Sequence, residues 1–416
     1  MNERSVNRLL TGILIVLAVS VLSTGGLAAY LTLNREPGPG APARASSAGD
    51  VAAQEDTPSR EPSQADSTLS AGDTGGTAEG ARIAFVSDQE GDVAIYTILP
   101  DGSDPRRVSI SDREFCVAPV WSPDGTRLAY IAAEEAPSDT DSAPAGVWVS
   151  AADGSEHVQI SRGISNTIYV HPTWSPDGTR VAFVSEGGTA GEDAVAIHIA
   201  RSDGSGVERT IAFPRPIRLL LWSPTKDELL LVSGDPHDGD RMLVHVMSSD
   251  GSQVTKVFER SLAADWTQDG ESVVVGDLPS QQVLVVELGQ GGAQGGEELA
   301  VRPIAETLLQ PVEIAWSPTG DHVAVASSGH YRQGYATTLH VVTVESGELT
   351  TVAEGDGWVQ WLGWSSDGQN LVFTRGELVR TPGLPFSDVW VYDLASGRSE
   401  PRTTAARFEG DANWSP

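Results

Sequence analysis

The hexapeptide DPHDGD places Asp235, His237, Asp238 and Asp240 within one short stretch of chain. Oxygen-rich loops of this kind hold hard cations, so Asp235, Asp238 and Asp240 are candidate ligands for Ca²⁺, the one cofactor the sequence suggests. The stretch lacks the ligand spacing and terminal Glu of the helix–loop–helix calcium loop, and a solvated acidic turn is the competing reading. Other chemistry-bearing patterns are missing. The eight histidines are scattered, with no H-x-x-x-H pair. No G-x-S-x-G nucleophile elbow occurs; Ser365 in GWSSDG belongs to a repeated turn. Cys116 is alone, which excludes a disulfide framework and a Cys-based metal site and suits a small buried hydrophobe. No Gly-rich phosphate loop opens a helix. The sequence therefore assigns no catalytic residue.

Charge narrows the partners. Across 416 residues there are 57 acidic and 27 basic side chains, a formal net charge of −30, and the lysines are Lys226 and Lys256 alone. Phosphate contacts need clustered Lys and Arg, so nucleic acid is excluded as a partner. The balance suits a soluble, self-repelling surface.

The first part of the chain reads as a targeting segment. Arg4 and Arg8 lie in a short n-region, residues 1–8, and Leu9 to Leu33 carries no charge. A helix of that length spans about 37 Å, enough to cross a hydrocarbon core of about 30 Å with some tilt. Basic residues before it and acidic residues after it put the N-terminus in the cytoplasm and everything downstream outside. The expectation is a single-pass signal anchor over 9–33; the rival is a cleaved signal peptide with Gly26 to Ala29 as the cleavage region. Residues 34–80 are rich in Pro, Gly, Ala, Ser and acids, with few large apolar side chains to offset ordering entropy, and are expected to form a disordered linker.

From residue 81 onward the chain repeats. Trp121, Trp174, Trp222, Trp266, Trp316, Trp364 and Trp414 recur 44 to 53 residues apart. A period near 40–50 with strand-like content marks propeller blades. In each copy an apolar strand ends in Trp, a Ser-Pro-Asp-Gly type turn follows, and short apolar strands such as LAYI or VAFVS come next. In that turn Pro presets φ, Asp bonds the local backbone and Gly takes positive φ. The strands are apolar on both faces, as sheets stacked face to face require. Each Trp is therefore expected to wedge between neighbouring blades.

The first short strand, IAFVS at Ile83, has no Trp strand before it, and the last Trp, in DANWSP, has no strand after it. The two complete each other. The expectation is an all-β fold over 81–416: a seven-bladed β-propeller closed by pairing its N- and C-terminal strands, preceded by a transmembrane helix and a disordered linker. Such closure removes open edges.

The stretch HPTWSPDGTRVAFVS, from His171 to Ser185, resembles the TolB-like, WD-type β-propeller repeats, and the resemblance runs over roughly residues 81–416. The copies WSPTKDE, WTQDGE and WSSDGQ depart from it in their turns. TolB itself pairs a smaller propeller with an α/β domain, where this chain has the linker. The resemblance implies an envelope protein with a protein-binding propeller, not membership of the same pathway.

In four-stranded blades the Trp-Ser-Pro-Asp-Gly turns lie on one face and the longer, more varied loops on the other, which also receives the start of each innermost strand. Variable loops on a rigid scaffold are where recognition usually sits. Binding candidates at the channel mouth and long-loop face are His171, Arg218, Glu313, Trp361, Asp411, Tyr331 and Arg332. Two functions follow. One is a membrane-tethered, extracytoplasmic binding or scaffold module for an envelope protein or peptide. The other is a propeller enzyme, a metal-assisted sugar lyase or lactone hydrolase, which requires the His, Glu and Asp side chains at the mouth to converge within about 5 Å.

Overall fold

The computed structural model describes residues 80–416, apart from 112, 114, 135–144, 162–169, 187–194, 235–241, 290–298, 308, 330–335, 378–386 and 405–407. The expected anchor and linker lie outside these residues. Among the described residues no helix is long and apolar enough to cross a membrane.

All regular structure described is β. Five sheets have four strands and one has seven, and neighbouring strands within each sheet run antiparallel. A typical sheet comprises Phe115–Trp121, Arg127–Ala133, Ala145–Ala151 and Val158–Gln159 in sequence order. The seven-stranded sheet spans Gln310–Trp316 to Arg398–Pro401. Its strand Leu349–Trp364 is 16 residues long: the first part pairs with Ala336–Thr343 and the last with Asn370–Glu377.

Burial follows the apolar pattern. The strands Ile83–Ser87 and Ala94–Ile98 are buried throughout, on both faces, as stacking demands. The outer strand Val207–Phe213 is largely exposed. Cys116 is fully buried beneath one sheet, and burial pushes its thiol up to about 12, so it is inert packing.

The turns form as their residues dictate. Ser122 Oγ donates to Asp124 Oδ1 at 2.6 Å, and Thr126 N donates to the same oxygen at 3.0 Å. Gly125, at φ 67°, donates its amide to Ser122 O at 2.9 Å, a backbone conformation a Cβ would strain. Ser175, Asp177 and Thr179 repeat the arrangement in the next unit.

Several of the tryptophans bind one repeat unit to the next. Trp174 Nε1 donates to Val120 O at 3.0 Å, Trp266 Nε1 to Leu221 O at 3.4 Å, and Trp364 Nε1 to Ala315 O at 3.0 Å. Each acceptor is the residue just before the Trp of the preceding unit. Over two of the repeat tryptophans lie arginines of the preceding unit, Arg127 over Trp174 and Arg180 over Trp222, each 4.9 Å from the ring centroid.

Successive Trp strands thus pack in a cycle. Phe115–Trp121 meets Thr173–Trp174, which meets Ile217–Trp222; Ala264–Trp266 meets Gln310–Trp316, which meets Leu349–Trp364. The last of these packs on Glu409–Trp414, which packs on Phe115–Trp121. The C-terminal strand Glu409–Trp414 is the first strand of the sheet that continues with Ile83–Ser87, through the pairs Trp414 with Ile83 and Asn413 with Ala84. Ser415 N donates to Arg82 O at 2.8 Å, and Arg82 N to Ser415 Oγ at 2.9 Å. Trp414 itself is partly buried, as is Trp316.

Candidate functional site in the central channel

The Trp strands converge on a cavity of about 740 Å³. His171, Arg218, Glu313, Trp361 and Asp411 all line it. Tyr331 and Arg332 lie outside the described residues, as do the acidic stretch Asp235, Asp238 and Asp240 and most of the long-loop residues.

The geometry of the lining comes from a repeated irregularity. Ala118, Trp361 and Asp411 each stand three residues before a Trp, and each has positive φ, at 57°, 58° and 50°. The ladder register shifts at each of them. Bulges of this kind re-aim a side chain and bend the strand. Arg218 and Val312 also stand where the register of their strands shifts.

The two carboxylates expected at the mouth are hooks between successive repeat units. Asp411 Oδ2 accepts from Ala118 N at 2.9 Å, and its Oδ1 lies 3.4 Å from His171 Nε2. Glu313 Oε2 accepts from Trp361 N at 3.1 Å, and Oε1 from Leu362 N at 2.9 Å. In each case the carboxylate reaches the residue three before the Trp of the following unit. Burial raises the Glu313 pKa, opposed by the two amides and by the charges of Arg218 and His171. Burial also disfavours the His171 imidazolium, but the hydrogen bond and charge of Asp411, with the charge of Glu313, outweigh it and leave that pKa raised.

A second tier of hooks was not expected from the sequence. Thr173 Oγ1 accepts from Trp222 N at 3.0 Å, Asp265 Oδ2 from Trp316 N at 2.8 Å, and Asn413 Nδ2 donates to Pro119 O at 2.6 Å. All three residues immediately precede a Trp. The signal was present: they are polar where Val120, Leu221 and Ala315 hold the same place. Burial lifts the Asp265 carboxyl to about 6 despite bonds from the Trp316 and Trp266 amides.

Arg218 behaves differently. Its Nε donates to Leu262 O at 3.1 Å and its Nη2 to Val312 O at 3.3 Å, so one guanidinium touches the two inner segments that follow its own. Its Nη1 is enclosed without a hydrogen-bond partner. Burial pushes its pKa down to about 10, with the charge of Glu313 opposing. Among the described residues no group of three or more His, Cys, Asp or Glu is placed to hold a metal ion.

No protein-family model matches the chain. Two curated relatives do, over part of it. A stretch of 147 residues is 27% identical to an uncharacterised peptidase, YuxL, of Bacillus subtilis, covering 35% of this chain and 19% of that one. A stretch of 54 residues is 46% identical to the Tol-Pal system protein TolB of Methylobacillus flagellatus, covering 13% of this chain and 12% of that one. The chain therefore spans less than a fifth of either relative. In fold it is similar to an oligogalacturonate lyase in complex with manganese, with a TM-score of 0.53, 14% identity, and coverage of 74% of this chain and 84% of that one. It is likewise similar to the β-propeller domain of the Trilobed protease from Pyrococcus furiosus, with a TM-score of 0.51, 15% identity, and coverage of 78% and 94%. At these identities the likeness is one of fold: a β-propeller, with TolB-like repeats in the sequence.

Proposed function

We propose that this chain is a membrane-tethered, extracytoplasmic propeller that binds a protein or peptide partner of the cell envelope through its central channel and catalyses no reaction. The blades number seven, the seven-stranded sheet counting as two that share the long strand Leu349–Trp364. The observation that carries the non-catalytic reading is the engagement of the channel acids. Glu313 and Asp411 each accept from backbone amides of the following unit. Bonded in this way, the two carboxylates are held in place as fasteners between units. What remains is a rigid, mixed polar and apolar cavity, the usual form of a recognition site.

The test is affinity capture from detergent-solubilised native envelopes with the tagged full chain, comparing wild type, Trp361→Ala and Thr126→Ala. A partner held by wild type and by Thr126→Ala, on the short-turn face, and lost from Trp361→Ala supports the reading. Equal retention by all three, or by none, overturns it. Carbonate extraction of membranes, with protease accessibility of the propeller from outside, checks the tether over 9–33.

The competing reading, a metal-assisted lyase or lactone hydrolase, has one observation in its favour. Asp265, a lining residue, titrates near 6, in the range useful to a general base. Its carboxylate nonetheless bonds the Trp316 and Trp266 amides. Calorimetric titration with Mn²⁺ or Ca²⁺ distinguishes the two, since only the enzyme requires a bound ion.

A further inference from the structure

The guanidinium of Arg218 is a partly buried cation that forms no ion pair among the described residues, with Glu313 acting on it through charge alone, in a chain with thirty more acidic than basic residues. Buried arginines are ordinarily paired, because an uncompensated charge loses its hydration and gains little in return. Among the described residues no carboxylate forms an ion pair with it: its hydrogen bonds go to the carbonyls of Leu262 and Val312, and Nη1 makes none. The nearby acids do not serve. Both oxygens of Glu313 are engaged by the Trp361 and Leu362 amides, and Asp411 is engaged by Ala118 N and His171. The channel acids fasten neighbouring units, and the enclosed Nη1 of Arg218 is a donor left without a partner.

We infer that Arg218 holds a carboxylate of the bound polypeptide, which enters the channel to supply the direct ion pair the guanidinium lacks. This rests on the reading of the channel as a peptide-binding site. A carboxylate suits the surroundings better than a phosphate. The wall around Arg218 includes the apolar Leu219 and Val312, and the acids Glu313 and Asp411 also line the cavity. Each additional negative charge on a ligand would be repelled there and would lose hydration. A singly charged group meeting one guanidinium is the arrangement these walls tolerate. The bond from Nη2 to Val312 O is long, at 3.3 Å, so the flexible head can turn to present Nη1 and Nη2 together. Two parallel N–H donors then match a carboxylate. His171, with its side chain 39% exposed and paired with Asp411, lines the same cavity and offers a further donor when protonated.

Small carboxylates test this without knowledge of the partner. Full-length protein is titrated with N-acetylglycine, which mimics a C-terminus, with N-acetylglutamate α-amide, which mimics an acidic side chain, with neutral N-acetylglycinamide and with inorganic phosphate. Binding is read by calorimetry and by the shift in melting temperature. At least one of the two carboxylates is expected to bind wild type at least about tenfold more tightly than Arg218→Met does, the loss of a charge-assisted hydrogen bond. Which of the two binds identifies the source. Arg218→Lys, which keeps the charge but not the fork, should retain part of the affinity, and guards against misreading a folding defect. Binding undiminished in Arg218→Met, equal binding of the neutral amide, preference for phosphate, or no binding of either carboxylate overturns the inference. A partner captured by wild type and retained equally by Arg218→Met would sink this inference and leave the binding function standing; no captured partner would sink that function instead.

Discussion

Asp411 Oδ2 and the amide of Ala118 form a 2.9 Å hydrogen bond across 293 residues of sequence. Asp411 belongs to the last strand and Ala118 to the first complete repeat, so the bond fastens the closing sheet to its neighbour from the channel side. Both residues have positive φ and stand at the same place relative to their Trp. The carboxylate both bonds and orients the next bulge.

Removing that carboxylate should destabilise the ring. Asp411→Ala leaves the buried Ala118 N–H unsatisfied and puts a residue that resists positive φ at 50°. The expected loss is about 1–3 kcal/mol, with a smaller loss in Asp411→Asn, since Asn keeps an acceptor and tolerates that backbone. Urea denaturation of both variants checks the order. If Asp411→Asn is as destabilised as Asp411→Ala, the acceptor oxygen is not what matters.

Stability should also fall between neutral and mildly acid pH because of histidines inside the sheets. His198 lies between Ser185 Oγ at 2.8 Å and Thr210 Oγ1 at 3.0 Å, and burial depresses its pKa from 6.5 to about 4. Burial lowers His245 and His340 as well; Arg215 and Lys256 add to the effect at His245, and Glu354 opposes it at His340. A depressed histidine leaves the unfolded chain with more bound protons, so its contribution is complete above about 6.5 and is lost as pH falls toward about 4. His171, with its pKa raised, has the opposite sign and loses its contribution as pH rises through its folded value. Denaturation midpoints measured from pH 7.5 to 4.5 should decline in wild type and decline less in His198→Gln. A parallel fall in both would assign the acid sensitivity elsewhere.

The stacked arginines should matter more than surface charges. Arg127 covers Trp174 and also donates from Nη2 to Gly178 O at 2.7 Å and from Nη1 to Ser202 Oγ at 3.0 Å. Arg127→Ala is expected to cost about 1–2 kcal/mol, and Arg127→Lys most of that, since an ammonium cannot stack and fork together. A double-mutant cycle with Trp174→Leu should give a favourable coupling energy; additive losses would show that the stacking contributes nothing.

How much of this the sequence disclosed depends on the range of the interactions. The turn Ser122 to Arg127 is local: its oxygen acceptor, its glycine and its proline lie within six residues, so their types announce it. The pairing of Ile83 with Trp414 is long-range but follows by counting, since two half-units were left over. Arg218 was singled out by its place near the channel mouth, yet its reach to Leu262 O and Val312 O depends on the register shift in its own strand, which no residue type announces. The hydrogen bonds of Glu313 and Asp411 were not legible, because their partners are backbone amides without a sequence signature. The long strand Leu349–Trp364, running through Gly355 and Gly357 without a break, merges what the repeat pattern separates.

The sharpest prediction concerns the chain's last five residues. Deleting Ala412 to Pro416 removes the pairs of Trp414 with Ile83 and Asn413 with Ala84, the two Arg82–Ser415 bonds and the Asn413 hook on Pro119. It also uncovers Ile83, which is fully buried. Complete removal of a buried aromatic costs about 3–5 kcal/mol. Trp414 is only partly buried, so its own share is smaller, and the lost backbone and side-chain bonds, at about 0.5–1.5 kcal/mol each, make up the difference. Together these are a large part of a domain stability of about 5–15 kcal/mol. The Ile83–Ala84 end of the strand Ile83–Ser87 would be left as an unpaired, apolar edge, a template for association. The protein ending at Asp411 is expected to melt well below wild type and to aggregate at concentrations where wild type stays dispersed. Removal of residues 1–77 from the other end, which takes nothing from any described sheet, is expected to leave the melting temperature unchanged. Equal melting temperatures for the chain ending at Asp411 and for wild type would show that the two ends do not hold each other.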